Sequence, residues 1–290
     1  MSYKPPKISF EFFPPRSLQA SFDLWESLNI LLPLQPEFVS VTYGAGGTTR
    51  QLTQEMTEAI GKSYGVNVAA HLTCIDTSRA ETLAIAKSYV DAGVSQIVAL
   101  RGDPPKGAGG FTPHPQGYAD TIDLVAGLAS TGIEKIYVGA YPEQHPESPS
   151  ASADIDWLKR KFDAGASAAI TQFFFDSTLY LRFRDRCAKA GIDKPIIPGI
   201  FPIENWTNVK RFAEKCGASI PAQLEAEFAM AARNEVEDIL SVVVATDLCA
   251  DLMDEGVEQF HFYTLNRPFL TRDVCLALGI MPDAKLALVA

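Results

Sequence analysis

Positive charge is scarce in this chain: 25 Lys and Arg stand against 35 Asp and Glu in 290 residues, a formal net charge of −10. That balance argues against a protein that wraps nucleic acid or lies on an anionic membrane. It leaves room for a few local cations to hold a phosphate. Long apolar runs are also missing; charge or proline interrupts each one well short of bilayer-spanning length. The start, Met-Ser-Tyr-Lys-Pro-Pro-Lys, shows no secretory signal. Five cysteines (Cys74, Cys187, Cys216, Cys249, Cys275) are scattered without a C-x-x-C pair. They read as reduced cytosolic thiols acting as small core hydrophobes, which points to a cytoplasmic protein without a zinc site. The four histidines are too dispersed to suggest any other metal. No G-x-G-x-x-G follows the first predicted strand, where Pro14-Pro15-Arg16 stand instead.

What is present is a repeating unit in a chain that is 47% apolar and long enough for one large domain, residues 1–290. An amphipathic segment ends at a glycine, and a β-branched or aromatic run follows. The glycines are Gly65, Gly93, Gly132, Gly165, Gly191 and Gly256, each where a helix would end in a left-handed cap. Strands are predicted over 8–13, 38–43, 67–73, 96–101, 135–141, 168–175, 195–200 and 258–264. Helical stripes lie between them: Phe22, Trp25, Leu28 and Leu32; Leu52, Met56 and Ile60; Ile155, Leu158 and Phe162; Leu179, Phe183 and Cys187. Ser78 with Glu81 forms a capping box. Extra helix is expected over 221–256, and a last helix after Pro268. Eight strands alternating with helices require parallel pairing through right-handed crossovers. Without a dinucleotide glycine fingerprint, a closed (β/α)8 TIM barrel is favoured over an open doubly wound sheet.

In such barrels chemistry sits at the C-terminal ends of the strands. There the sequence places Ser9-Phe10-Glu11-Phe12-Phe13, Thr42-Tyr43-Gly44, His71-Leu72-Thr73, Arg101-Gly102-Asp103, Tyr141-Pro142-Glu143, Thr171-Gln172 and Tyr263 through Arg267. Alternation puts Ser9, Glu11 and Phe13 on one face of the first strand. A carboxyl among aromatics loses hydration, which favours its neutral form and suits a general acid. The plain alternative is a salt-bridged glutamate at a barrel rim. Arg101 and Asp103 share a strand parity and could simply pair. His71 could be a hydrogen-bonded core residue, and Gln172 could satisfy itself on backbone. Lys159-Arg160-Lys161 is either a solvated helix face or a clamp for a pyrophosphate. Tyr43, Phe111, Tyr118, Tyr141 and Phe212 suit a flat heteroaromatic ring or ordinary packing.

Taken in order, these segments resemble the methylenetetrahydrofolate reductase family in its bacterial, catalytic-domain form. The matching stretches are Ser9–Pro15, Val41–Ala45, His71–Cys74, Ala99–Asp103, Tyr141–Glu143 with His145 and Pro146, Ile170–Asp176, and Phe262–Arg267. The resemblance implies FAD bound noncovalently at the barrel mouth and a ping-pong cycle. NAD(P)H would reduce the flavin and leave, and 5,10-methylenetetrahydrofolate would then take its place and become 5-methyltetrahydrofolate. Glu11 would be the acid that opens the imidazolidine ring. Asp103 would lie by the flavin, tuning it and contacting the pterin. Gln172, Asn208, Phe212 and Arg267 would contact folate, and Thr42 the nicotinamide nucleotide. The FAD shell would draw on Tyr43, His71, Arg101, Gly102, Asp103, Tyr118, Ala119, Tyr141, His145, Asp154, Arg160 and Lys161.

Two positions depart from the family pattern: Asn208 stands where glutamine is expected, and Trp157 where a polar helix residue is. Segment 104–117, rich in Gly and Pro, reads as a loop over the cofactor. The chain ends soon after the barrel, so the C-terminal regulatory domain of animal relatives and feedback by S-adenosylmethionine are not expected. A homo-oligomer is. The rival readings are a barrel lyase or aldolase, and a flavin- or folate-binding protein without turnover. A Schiff-base lyase needs a lysine at a strand end, and the predicted strands offer none. Storage without turnover would need no acid at Glu11.

Overall fold

Strand alternation and helix periodicity divide the apolar residues into an inner set and an outer set, and the architecture follows from that division. The computed structural model describes residues 4–44, 50–103 and 111–283. Its strands are β1 Lys7–Phe12, β2 Phe38–Val41, β3 Val68–Thr73, β4 Gln96–Leu100, β5 Lys135–Ala140, β6 Ala168–Thr171, β7 Ile196–Ile197, β8 Gly199–Ile200 and β9 Gln259–Tyr263. All pairings are parallel, in the order β7-β6-β5-β4-β3-β2-β1-β9-β8. The two outermost strands are separated in sequence only by Pro198, so they are halves of one stave and the sheet closes on itself. This is the expected (β/α)8 barrel with its seventh stave split. Proline has no N–H to give the ladder, but the Pro198 carbonyl still accepts from the His261 N–H at 2.9 Å.

Around the barrel lie α1 Leu18–Leu31, α2 Arg50–Tyr64, α3 Arg79–Asp91, α4 Thr121–Leu128, α5 Ala151–Asp163, α6 Ser177–Lys189, α7 Trp206–Cys216, α8 Ala222–Arg233, α9 Glu237–Asp254 and α10 Pro268–Ala277. Ser78 and Glu81 make the expected capping box at the start of α3. The six glycines named above all have positive φ. Ile8, Phe10, Phe12, Phe260 and Phe262 face outward under the helices. Phe38, Ala69, Val98, Tyr137, Ala168, Ile170 and Ile197 fill the barrel floor.

Two sequence expectations change. The strands over 38–43 and 168–175 end early, at Val41 and Thr171. In the second case Phe173 and Phe174 leave the sheet for two separate helix-lined clusters, which pin the loop rather than extend the strand. Phe22, assigned to the buried stripe of α1, is 61% exposed, because Leu24, Leu28 and Leu31 carry the buried face. The extra helix expected over 221–256 is there, as two helices, α8 and α9. The 104–110 part of the expected cofactor loop lies outside the described residues.

Candidate active site

Inward parity at the C-terminal ends of β1, β3 and β9 brings together three titratable side chains that sequence separates widely. Glu11 reaches up from β1, and its Oε2 lies 3.3 Å from His71 Nε2 on β3 and 3.8 Å from His261 Nε2 on β9. Both Nε2 atoms are buried and make no well-aligned hydrogen bond, so their approach to the carboxyl is close without being directional. Below, the His261 ring stacks over Phe38 at 5.7 Å, and Phe38 stacks on Tyr137 at 4.5 Å. Ser9 Oγ sits 2.8 Å from His261 Nδ1. The backbone carbonyl of Glu11 accepts from Thr264 Oγ1 at 2.6 Å, which fixes β1 against the end of β9. Tyr263 donates to the Thr171 carbonyl at 2.6 Å across the split stave.

The electrostatics amend the sequence argument for Glu11. Burial does push its carboxyl upward, as expected, but the two imidazoles beside it outweigh burial and hold it at about 2. Burial lowers His261 below the ordinary imidazole range, opposed by Glu11. The neutral ring is thus favoured, and Glu11 stands in a carboxyl–imidazole cluster rather than as a lone desolvated carboxyl.

The mouth gathers most of the other expected residues. Gly102 follows β4 with φ +88°, and a Cβ there would lie 2.7 Å from Ile75 Cγ2 and 2.9 Å from Thr73 Cβ. Only glycine lets the chain turn so tightly against β3. The anticipated Arg101–Asp103 pair does not form as the main contact; Arg101 Nη1 instead meets Glu147 Oε2 at 2.5 Å and lies over Phe111. Asp103 is exposed. Tyr141 packs edge-on against His145 at 4.5 Å, and the His145 N–H donates to Asp154 Oδ2 at 2.9 Å. The basic run splits by helix phase. Arg160 is exposed over Trp157, whereas Lys161 is buried and donates to the Gly139 carbonyl at 2.8 Å. Burial lowers the Lys161 ammonium to about 8, against the pull of Asp154 and Asp120.

Tyr118 lies apart: its ring is buried in the helix layer beneath Arg79, leaving backbone as its route to a ligand. Ala119 donates its N–H to Asp123. Gln172 folds back, its Oε1 accepting from the Phe173 N–H at 3.0 Å. Asn208 is exposed in the first turn of α7, and Phe212 is exposed one turn on, 6.2 Å from Phe201. Arg267 pairs with Glu204 at 2.6 Å. Beside the mouth a cavity of about 810 Å³ is lined by Phe13, Arg16, Thr42, Tyr43, Arg267 and Phe269, but not by Glu11.

Sequence reasoning passed over Ser9, His261 and Asn266 as site residues. The signal for His261 was available, since it shares the inward parity of Tyr263. Asn266 was hidden in a turn. With φ +58° it donates to the Phe13 carbonyl at 2.9 Å and accepts from the Phe13 N–H at 2.8 Å, clamping the loop after β1.

Among the described residues no cluster of His, Cys, Asp and Glu could hold a metal ion. No helix there is long and apolar enough to cross a membrane.

Comparison with known proteins agrees with this arrangement. The sequence model of the methylenetetrahydrofolate reductase family matches residues 2–279. A 5,10-methylenetetrahydrofolate reductase of Salmonella typhimurium is 47% identical over 276 residues, covering 95% of this chain and 91% of its own. The 5,10-methylenetetrahydrofolate reductase of Escherichia coli has the same identity and coverage, 47%, 95% and 91%. Among solved structures, an uncharacterized protein from Clostridium thermocellum that binds two copies of 5-methyl-5,6,7,8-tetrahydrofolic acid superposes with TM-score 0.61 at 13% identity, covering 96% of each chain. At that identity it speaks for the fold alone.

Proposed function

Since the chain belongs to the methylenetetrahydrofolate reductase family and is an oxidoreductase of folate one-carbon units, we propose that it works with bound FAD, taking a hydride from NAD(P)H. In this reading the whole chain acts as one catalytic barrel domain in the cytoplasm. The scattered free cysteines and the small water-borne substrates fit that location. Exposed Met230, Ile239 and Val243 on α8 and α9 support a homo-oligomer.

The residues at the mouth fit a flavin dinucleotide. Arg101, Arg160 and Lys161 supply cations for a pyrophosphate. Tyr141 and His145 offer an aromatic edge, and Gly102 a close backbone approach. Ser40 Oγ, Thr73 Oγ1 and both Nε2 atoms of the histidine pair are buried polar atoms without hydrogen bonds, as expected where a polar ring edge completes the site. FAD, when bound, supplies the hydride chemistry; the protein supplies position and protons. Thr42 and Tyr43 border the 810 Å³ cavity, where a nicotinamide nucleotide or the folate could lie in turn. Asp103, Gln172, Asn208, Phe212 and Arg267 are assigned to folate, and Gln172 must release its local bond to Phe173 to take part. Tyr43, His71, Tyr118, Ala119 and Asp154 complete the cofactor assignment.

One observation carries this reading: a buried carboxyl, Glu11, faces two imidazoles at the end of the first strand, a carboxyl–imidazole cluster at the mouth through which a proton reaches the folate as its ring opens. The test is anaerobic stopped-flow absorbance on Glu11→Gln. Flavin reduction by NADH should persist, while reduction of the folate should fall at least about 100-fold, the usual worth of a positioned acid. Equal loss of both half-reactions would remove Glu11 from the role.

A further inference from the structure

The end of α7 leaves a backbone N–H that the helix itself does not use, and a side chain from a neighbouring loop takes it. Gly217 closes α7 with φ +72° and donates its N–H to the Ala213 carbonyl, as does Ala218 after it. The next N–H, of Ser219, goes instead to the Glu143 carboxylate, with Oε2 at 3.0 Å and Oε1 at 3.1 Å. An ionised acceptor makes this a charge-assisted bond. Beside it, a Cβ at Gly217 would stand 3.1 Å from Pro146 Cγ, so the helix end and the loop touch closely. The negative end of the α7 dipole gives a carboxylate no reason to sit there, so helix stability does not account for the contact.

Glu143 and Pro146 belong to the loop of Tyr141 and His145, which is assigned to the cofactor. That loop has bonds of its own: the His145 N–H donates to Asp154, and Glu147 pairs with Arg101. The seat of α7 is different in kind. Its buried Val209 and Ala213 join the cluster of Phe173, Phe201 and Phe228, and apolar contact holds without direction. Its exposed Asn208 and Phe212, one turn apart, are the residues assigned to folate. Burial raises the Cys216 thiol and nearby Asp103 adds to it, so the last turn of α7 comes close to the mouth. We propose that Glu143 is a positioning residue whose carboxylate clasps the end of α7 to the cofactor loop, and so sets where Asn208 and Phe212 stand relative to the cofactor. This rests on the reading of α7 as the folate-contacting helix. Loss of the clasp leaves the cofactor loop pinned and lets α7 shift on its apolar seat. Folate binding then weakens, while the cofactor and its reduction are untouched.

Two measurements on Glu143→Ala and Glu143→Gln test this. In amide hydrogen exchange read by mass spectrometry, Glu143→Ala should speed exchange over 213–219 and leave 141–150 as in wild type. In anaerobic stopped flow, the folate concentration giving half the maximal rate of flavin reoxidation should rise about fivefold, a charged hydrogen bond felt only in part at the substrate. The limiting rate, flavin reduction by NADH and FAD affinity should stay at wild-type values, since only binding through α7 is disturbed. Glutamine keeps a carbonyl that accepts from Ser219, so Glu143→Gln should move both readouts back towards wild type. An unchanged folate dependence in Glu143→Ala would overturn the proposal. So would loss of FAD affinity, which would mean that the carboxylate holds the cofactor loop instead, or a glutamine variant as impaired as the alanine one. If exchange behaves as expected and wild type turns over no folate, the proposed function fails and the clasp on α7 stands.

Discussion

Lys161 shows how much a single side chain can be changed by its depth. It belongs to a run of three cations, yet only it is buried, with its ammonium on the Gly139 carbonyl. Its folded pKa, about 8, lies below the ordinary 10.5. Between those values the unfolded chain therefore binds more protons, and the folded state gains stability as pH rises through the window. In the ligand-free protein, urea unfolding of wild type relative to Lys161→Met should show that gain, at most about 1.4 kcal/mol per pH unit. A difference that stays flat from pH 8 to 10.5 would contradict the burial of a charged amine. The carboxyl cluster is legible at this scale only in part. Parity on β1 exposed Glu11, but the partners that control it come from residues 60 and 250 positions away, and no local pattern joins them.

At the scale of elements, the loops are held by side chains that imitate backbone. Asn266 bonds both the N–H and the carbonyl of Phe13 while sitting at positive φ. Asn266→Ala should cost about 1–3 kcal/mol, from two lost bonds and an unfavourable left-handed alanine. Thermal unfolding would measure it, and a loss under about 0.5 kcal/mol, within ordinary surface scatter, would show that the clamp is idle. Gly102 makes a similar case in the loop after β4, because alanine there would meet Ile75 and Thr73. Gly102→Ala should lower both stability and flavin affinity, read by urea titration and by flavin fluorescence on release; unchanged affinity would separate this turn from the cofactor.

The whole molecule depends on closing a sheet across Pro198. Gly199 lies where the last gap shuts, and a Cβ there would stand 2.2 Å from the Thr171 carbonyl oxygen and 2.6 Å from the Tyr263 ring. Backbone on one side and a buried ring on the other leave no direction for relief. Gly199→Ala should therefore destabilise the barrel by more than about 3 kcal/mol, or prevent folding, as overpacking against main chain does at its severe end. Urea unfolding tests this, and a variant of near wild-type stability would mean that the seventh stave does not close the barrel.

Sequence by itself determined the number of staves, their parallel sense and which residues face inward, because those follow from local periodicity, glycine caps and the handedness of crossovers. It also carried the family motifs in order. Tertiary structure decided where the strands over 38–43 and 168–175 stop, which cation of the basic run is buried, and that Arg101 meets Glu147 rather than Asp103. It alone decided that Ser9, His261 and His71 converge on Glu11. Proton affinity in a buried site is set by whatever lies within a few ångströms, and only barrel closure determines those neighbours.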